Sequence, residues 1–487
     1  MKFNKKLAVA VSGAVLLMAG QIALADSTTD IVDALVSKGV LTEEEGKLIS
    51  KGAVSKAKAD EKANKSRVSV GSFIDNAQMY GDVRLRYEDR SGSGVPGATP
   101  VASTDESRLR ARYKLTFGAK TTSGKWYSDV AFAMGANGRS DNATFGKSAT
   151  ANINDKETLF VKRAMIGYNA TDWLKLEGGR LDNPLYTTPM VWDADLTWEG
   201  LVEKANFKLG NADVFLTAAQ TSYQGDRKNY DATTADTITT EMFAFQAGVK
   251  AALADNLTGK AALTYTNYSH NTAAGKPFKP GYGTDGTGQT AVTADPTKYI
   301  LGVTGYTGYG LQAYGVNNLN QIEIPAELNY MASSNIGVRL YGDYTWNTDA
   351  DARARNSGLT EAANGSSGSD DAAWLLGLVV GSAKDLKAFE GNKLAAGDWQ
   401  ARIWYQNVGV WAVDPNAVDS DFMDSRVNMK GTVFKAQYNI EDNLYANFAY
   451  GHATRKNKLY GAAGAGADIN LNLNDFDLVQ MDLTYKF

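Results

Sequence analysis

The last nine residues of the chain alternate strictly between apolar and polar side chains. Val479, Met481, Leu483, Tyr485 and Phe487 are apolar, and the four residues between them are polar. Successive side chains of a β-strand point to opposite faces, so this spacing predicts a strand with one apolar face. The same alternation recurs from residue 78 onward, for example at Val83-Leu85-Tyr87, Leu109-Ala111-Tyr113, Ile322-Ile324-Ala326 and Leu444-Ala446-Phe448.

Sixteen candidate strands can be read between residues 78 and 487, and short and long connections alternate between them. Short connections are predicted near 121–124, 169–172, 208–211, 253–256, 332–335 and 439–443. Transmembrane barrels show this asymmetry, with short periplasmic turns at one end and long loops at the other. After residue 25, the 487-residue chain has no apolar run long enough for a transmembrane helix. Any membrane crossing would therefore be made by strands. The predicted fold class is an all-β, transmembrane antiparallel β-barrel of about sixteen strands over 78–487.

The first 70 residues differ from this body. Residues 1–25 combine a basic start, an apolar run and a small-residue cleavage site at 23–25, which predicts a secretory signal peptide. Helical spacing and a capping box at Thr42 and Glu45 predict a short periplasmic helical segment and linker over 26–70. Two interpretations of this segment stay open. It is either a solvated tail or a helical hairpin for trimerisation or cell-wall attachment.

Residues that usually carry catalysis or bind metals are scarce. The chain has no Cys and only two His, which excludes thiolate metal sites and cysteine nucleophiles. Its formal net charge of −4 argues against a nucleic-acid partner. Asp414, Asp419, Asp421 and Asp424 share one connection but lack EF-hand spacing, so solvated loop acids are favoured over a Ca²⁺ site. We expect no catalytic residues, no metal ion and no cofactor.

Several short motifs resemble those of Gram-negative outer-membrane porins, and in particular the "putative porin" family. They lie at 81–88, 163–168, 192–200 and 397–399, and at Gly179-Arg180 with Asn183-Pro184. The terminal Phe487, with Tyr485 before it, resembles the signal that the barrel assembly machinery reads. The resemblance implies export through the periplasm to the lipids of the outer membrane. It also implies a water-filled channel for passive diffusion of small hydrophilic solutes and ions, and a homotrimer is one assembly consistent with it.

Two alternative functions stay open. The stretch from Arg180 to Gly200 also resembles alginate-export barrels, which would make the chain a substrate-specific channel for an anionic solute or a polysaccharide. The other alternative is a structural or scaffold barrel without open-channel activity. About sixteen strands enclose an aqueous channel, whereas a sheath around a large partner would need a wider barrel and a longer chain.

Charged residues on the polar face of the strands are predicted to line the pore. Turning an Arg or Lys toward lipid at mid-bilayer costs roughly 2–4 kcal/mol, so such residues should face inward. The predicted pore-lining residues are Arg84, Arg86, Arg108, Arg110, Arg112, Lys114, Arg163, Glu177, Arg339, Asp343 and Arg402. One interpretation is a basic strip that gives modest anion preference at low salt. The other is that the arginines pair with acids such as Glu177, Asp193, Asp195 and Asp343, and stiffen the wall.

One long connection is expected to fold inward and narrow the pore, and two connections compete for this role. Residues 181–195 are the preferred candidate, and the charged residues of this constriction would be Arg180, Asp182, Asp193, Asp195 and Glu199. The longer connection at 270–320 is the competitor. The alternative to both is that these loops only cap the outer mouth.

Overall fold

The computed structural model describes residues 74–94, 106–135, 141–145, 157–228, 237–269, 316, 318–356, 370–382, 395–419, 421–422, 427–457 and 473–487. The predicted signal peptide at 1–25, the helical segment at 26–70 and nearly all of the connection at 270–320 lie outside these residues. Those assignments stay predictions. No helix in the described part of the chain is long and apolar enough to cross a membrane.

Strands make up most of the described residues. They are β1 (Asn76–Gly94), β2 (Glu106–Ser123), β3 (Trp126–Gly135), β4 (Ala143–Thr144), β5 (Thr158–Asn169), β6 (Leu174–Asp182), β7 (Thr197–Leu209), β8 (Ala212–Lys228), β9 (Thr237–Ala254), β10 (Leu257–Tyr268), β11 (Gln321–Met331), β12 (Gly337–Asn347), β13 (Ala372–Gly381), β14 (Trp399–Val408), β15 (Met429–Glu441), β16 (Leu444–Arg455) and β17 (Leu473–Lys486). One short helix, α1 (Ala350–Asn356), lies between β12 and β13.

The strands form one closed antiparallel barrel. Sixteen long strands pair with their neighbours in the chain, and β17 pairs with β1 to close the ring. The two-residue β4 is a side branch that pairs with β2, while β3 pairs directly with β5. The predicted all-β antiparallel barrel of about sixteen strands is confirmed over the described residues.

Tight turns join the strands at one end of the barrel. β7 and β8 are linked by residues 210–211, and β9 and β10 by 255–256. Gly210 has a φ of 63°, a left-handed conformation that glycine adopts at little cost. Phe487, which follows β17, lies at the same end of the barrel as these turns. Because the barrel has an even number of long strands, β1 begins at this end as well.

The two faces of the wall differ sharply in polarity. Leu201 and Ile166, on the outward face, are 65% and 61% exposed, whereas Arg86, Glu88 and Gln480 are buried on the inward face. Soluble proteins usually show the opposite arrangement. The period of two therefore gives the barrel an apolar exterior and a polar interior wall.

The buried apolar core lies inside the barrel and is supplied largely by connections. It includes Met190, Trp192, Leu319, Trp411 and Phe422, none of which belongs to a strand. Wall side chains cannot fill a barrel of this strand number. Connections that fold inward occupy part of the space instead.

Barrel closure depends on a contact between the two ends of the wall. Phe487 and Gly81 exchange both backbone hydrogen bonds, at N···O distances of 2.9 and 3.0 Å. The ring of Phe487 also covers Gly81, so that a Cβ there would lie 2.5 Å from Cζ of Phe487 and from the Thr116 carbonyl oxygen. Glycine is therefore the residue that lets the terminal ring dock on β1.

We expect Gly81→Ala to weaken this closure, because overpacking a tight contact costs about 1–3 kcal/mol. The temperature at which the folded barrel unfolds, followed by circular dichroism, should fall by several degrees. Gly178→Ala is the matched control, because its Cβ would lie 3.1 Å from the flexible end of the Leu201 side chain and 3.9 Å, an ordinary contact distance, from the Gly200 carbonyl oxygen. An unchanged unfolding temperature in Gly81→Ala would contradict the closure argument.

Candidate functional site

The interior of the barrel is the candidate functional site, and two connections enter it. The first inner segment, residues 183–196, joins β6 to β7. The second inner segment, residues 409–419 and 421–422, follows β14. Both carry their buried side chains into the apolar core inside the barrel.

Backbone and side chains of the first inner segment are anchored on strands far around the wall. The backbone N–H of Tyr186 donates to Oε1 of Gln246 at 2.9 Å, and Nε2 of Gln246 donates to the Tyr186 carbonyl at 2.8 Å. The Tyr186 hydroxyl donates to Oε2 of Glu327 at 3.1 Å. Gln246 and Glu327 lie in the middle of β9 and β11. The segment therefore reaches the middle depth of the barrel and does more than cap its mouth.

Two buried carboxylates on the far wall bind the next residues of this segment. The Thr187 hydroxyl donates to Glu323 and the Thr188 hydroxyl donates to Asp343, each at 2.5 Å. Farther along, the rings of Trp192 and Trp198 pack with their centroids 4.9 Å apart. Hydrogen bonds thus hold the middle of the segment in place, and the contact between the two Trp rings holds the part that leads into β7.

The second inner segment is hydrogen-bonded to side chains of three wall strands, β8, β11 and β12. Asn347 and Gln321 donate through their side-chain amides to the carbonyls of Trp411 and Ala412, at 2.9 and 3.4 Å. Three strands away from Gln321, on β8, the Tyr223 hydroxyl donates to Asp414 at 2.6 Å.

The two inner segments are also bonded to each other. The backbone N–H of Asp193 donates to the Ala417 carbonyl at 2.6 Å, and that of Asp419 donates to the Pro189 carbonyl at 3.0 Å. Burial first, and then the nearby Asp193 and Asp421, raise the pKa of Asp419 well above its ordinary value. The paired segments form a continuous partition that narrows the interior.

The arginines of β1 are bound to acids on three different elements. Arg86 binds Asp482 of β17 through two hydrogen bonds of 2.7 and 2.9 Å, and it binds Asp421 at 2.9 Å. Arg90 binds Glu88 at 2.9 Å and Asp421 at 3.3 Å. Burial works against the charged form of Asp421, but Arg86 and Arg90 hold its pKa well below the ordinary value. A carboxylate of the second inner segment is therefore tied to the β1 wall by charge.

A second cluster of charged side chains lies beside the first inner segment. Lys162 binds Asp141, and Lys114 lies 3.7 Å from Asp82 and 3.9 Å from Asp141. Despite burial, Lys162, Lys114 and Arg84 lower the pKa of Asp195. Positive charge on the wall thus holds a second carboxylate of the inner segments in its ionised form.

Most of the predicted pore-lining residues lie on the inward face, and most have charged or polar partners. Arg84 binds Asn142 at 2.6 Å, Arg112 lies 3.7 Å from Glu88, and Glu177 accepts from Tyr127 and Lys204. The side chains of Arg108 and Arg110 lie outside the described residues. The remaining ones are Arg163 with Asp129 and Asp182, Arg339 with Asn329 and Glu327, Asp343 with Thr188, and the buried Arg402.

The five charged residues predicted for the constriction are found in different places. Asp193 and Asp195 lie in the first inner segment, and Asp182 binds Arg163 where β6 ends. Arg180 and Glu199 are register partners on β6 and β7 and bind each other across these strands. They lie on the outward face of the wall, because the neighbouring Leu181 and Trp198 are buried on its inward face. The structure therefore does not place Arg180 and Glu199 in the constriction.

The second inner segment and helix α1 are parts of the interior that the sequence does not reveal. Their spacing in the sequence favours solvated loop acids at Asp414 and Asp421, but in the structure Asp414 is buried beside Tyr223 and Asp421 bridges two arginines. Helix α1 buries Arg353, and burial lowers its pKa to about 10 in spite of nearby Asp414. The only signal in the sequence is the number of apolar residues and Asp at 410–422. Apolar residues in a loop have no fixed period that would identify their partners.

Next to the first inner segment lies a cavity of about 700 Å³. Its charged lining residues are Lys204, Lys208, Asp213, Lys250 and Lys260, and its aromatic ones are Tyr186, Phe207 and Phe215. Lys260 places its ammonium 3.6 Å from the centre of the Tyr186 ring. The described residues contain no cluster of His, Asp or Glu arranged to hold a metal ion.

Comparison with protein families agrees with this architecture. The sequence model of the family described as "putative porin" matches residues 91–487. The chain belongs to this family. The match covers the wall from the end of β1 to the terminal Phe487, together with both inner segments. No curated protein matches the chain.

Asp421→Asn should loosen the second inner segment, because it removes the charge that binds Arg86 and Arg90. Hydrogen bonds to charged groups contribute about 1.5–3 kcal/mol, so we expect a loss of about that size in unfolding free energy at pH 7. The depressed pKa means that this contribution is fully present above the unfolded value near 4. It is lost as the pH falls through the lower folded-state pKa.

Denaturant unfolding of the two proteins from pH 7 to pH 3 measures this difference. The gap between wild type and Asp421→Asn should narrow below pH 4. Asp255→Asn, in the β9–β10 turn, removes an equal charge without touching the interior and should match the wild type. A difference in unfolding free energy that stays constant across this pH range would show that the charge of Asp421 does not stabilise the fold.

Proposed function

We propose that this chain is an outer-membrane channel for passive diffusion of small hydrophilic solutes and ions. The observation that carries the proposal is the polarity of the wall: large apolar side chains cover its outside, while charged residues line its inside. A closed barrel satisfies all the backbone groups of its strands, which a wall facing lipid requires. Membership of the porin family supports the same conclusion.

Several parts of the proposal concern the route to the membrane. The signal peptide at 1–25 would direct export to the periplasm. The terminal Tyr485 and Phe487 would be read by the barrel assembly machinery, and Phe487 docking on Gly81 would then complete the ring. Lipid would surround the outward apolar face, and the tight-turn end would face the periplasm.

Within this channel, the two inner segments would determine the width of the path. The interior of a sixteen-strand barrel is wide enough for water and small solutes, and the inner segments occupy part of it. The charged groups described on the β1 wall are paired with acids. Their role in the proposal is to hold the second inner segment in place, and anion preference would have to arise elsewhere.

A scaffold barrel without open-channel activity is the competing function. Purified protein in a planar bilayer distinguishes the two: steady, stepwise current in KCl is expected for the channel. A silent membrane containing correctly folded barrels would contradict the channel and favour the scaffold.

Releasing the first inner segment should alter this current. Thr187→Val together with Thr188→Val removes the hydroxyls that donate to Glu323 and Asp343 with little change in side-chain size. We expect larger open-state current fluctuations and a higher mean conductance, because the segment would leave its anchored position more often. Thr187→Ser with Thr188→Ser keeps both hydroxyls and should behave as the wild type. Identical recordings from the Val and Ser variants would show that this segment does not limit the current.

A further inference from the structure

The cavity beside the first inner segment combines positive charge with an aromatic wall. It is lined by four lysines and by Asp213, and the rings of Tyr186 and Phe215 supply apolar surface. A volume of about 700 Å³ lies within the range of pockets that hold small organic molecules. The cavity lies against the inner faces of β7 to β10, toward their tight turns.

The charges around this cavity do not balance. Lys204 is neutralised by Glu177, whose carboxylate lies 2.7 Å from its ammonium. Lys208 and Lys250 are the register partners on either side of Asp213, so two positive charges share one carboxylate. Neither of these two lysines forms an ion pair with another described residue.

Lys260 adds a further positive charge at the aromatic end. Its ammonium lies 3.6 Å from the Tyr186 ring centre and 5.1 Å from that of Phe215. The neighbouring Glu327 is its register partner, but Glu327 also lies 3.8 Å from Arg339. The excess positive charge of the cavity therefore lies at Lys208 and Lys250, which share the single carboxylate of Asp213.

The apolar surface is placed to contact the body of a bound molecule. The rings of Tyr186 and Phe215 meet edge to face, with centroids 6.5 Å apart. The tip of the Phe215 ring also covers Gly248, where a Cβ would lie 2.0 Å from Cζ of Phe215. Both rings are therefore fixed, one by the hydrogen bonds of the first inner segment and the other by the wall.

We propose that this cavity is a binding site for small organic carboxylates that have an aromatic or apolar body. The carboxylate would bind Lys208 and Lys250, and the body would lie against Phe215 and Tyr186. Charge-assisted hydrogen bonds to ammonium groups are stronger than those between neutral groups, and a partly enclosed site screens them less than bulk water does. The site rests on the proposed function in one respect: a solute in the channel would reach it before passing the partition.

Binding to the purified full-length protein at low ionic strength tests the site directly, independently of any current. Benzoate is the probe, and benzyl alcohol, which has the same ring and no charge, is its comparison. We expect benzoate to bind at least tenfold more tightly than benzyl alcohol, by titration calorimetry. Equal affinities, or no binding of benzoate at millimolar concentration, would overturn the proposal.

Two variants separate the contributions of charge and ring. Lys208→Gln with Lys250→Gln should weaken benzoate binding about tenfold or more, and Phe215→Leu should weaken benzoate severalfold while leaving acetate unchanged. Lys125→Gln, in the tight turn between β2 and β3, removes a charge at the same end of the barrel but does not line the cavity. It should bind benzoate as the wild type does. Equal losses in the Lys125 and double-lysine variants would show a general effect of charge and overturn the site.

Current recordings keep this proposal distinct from the channel function. In a conducting wild type, benzoate added on the tight-turn side should reduce the KCl current, and the double-lysine variant should be less sensitive. A channel that conducts but neither binds benzoate nor is blocked by it refutes the site and leaves the channel. A protein that binds benzoate but carries no current refutes the channel and leaves the site.

Discussion

Closure of the backbone ladder between β17 and β1 is the constraint on which the interior depends. Once the ring is closed, the register of each strand is fixed and every second residue must face inward. At the seam, Arg86 stands opposite Asp482 and Glu88 opposite Gln480. A slip by one residue would turn these charges to the outside, where lipid would surround them under the proposed function. The closing contact of Phe487 with Gly81 therefore also selects which charges meet inside.

Charges that face inward need partners, and the inner segments supply several of them. Asp421 neutralises the arginines of β1, Asp195 lies among positively charged groups, and Thr187 and Thr188 satisfy acids of β11 and β12. The wall and the inner segments thus stabilise each other. Leaving a buried charge without its partner costs several kcal/mol, which explains why connections without strand structure are held so firmly.

The sequence predicted the wall well because a period of two is a local signal. The alternation at Val479–Phe487 and at β12 translates directly into outward and inward faces. Inward placement of Arg84, Arg86 and Arg112 followed from the same parity. The paired Arg180 and Glu199 show its limit: their charge suggested the interior, but their register places them on the other face from Trp198.

Contacts between distant parts of the chain were beyond this kind of prediction. Asp421 binds a residue 335 positions earlier, and Thr188 binds one 155 positions later. No local pattern encodes such partners. The lysines of the cavity come from β7, β9 and β10, and nothing in their local sequence marks them as a group. The register across β7 to β10 and the docking of Tyr186 on Gln246 bring them together.

The two inner segments are bonded to each other inside the barrel, and the proposed channel needs this contact to persist. The chain has no cysteine, so a pair introduced as Pro189→Cys and Asp419→Cys, where backbone N and O are 3.0 Å apart, would report on this contact alone. The decisive measurement is single-channel conductance of this variant before and after oxidation. We expect rapid disulfide formation with unchanged conductance, because the bond would only fix an arrangement that already exists. Failure to form the disulfide in the folded barrel, or a large change in conductance when it forms, would contradict it.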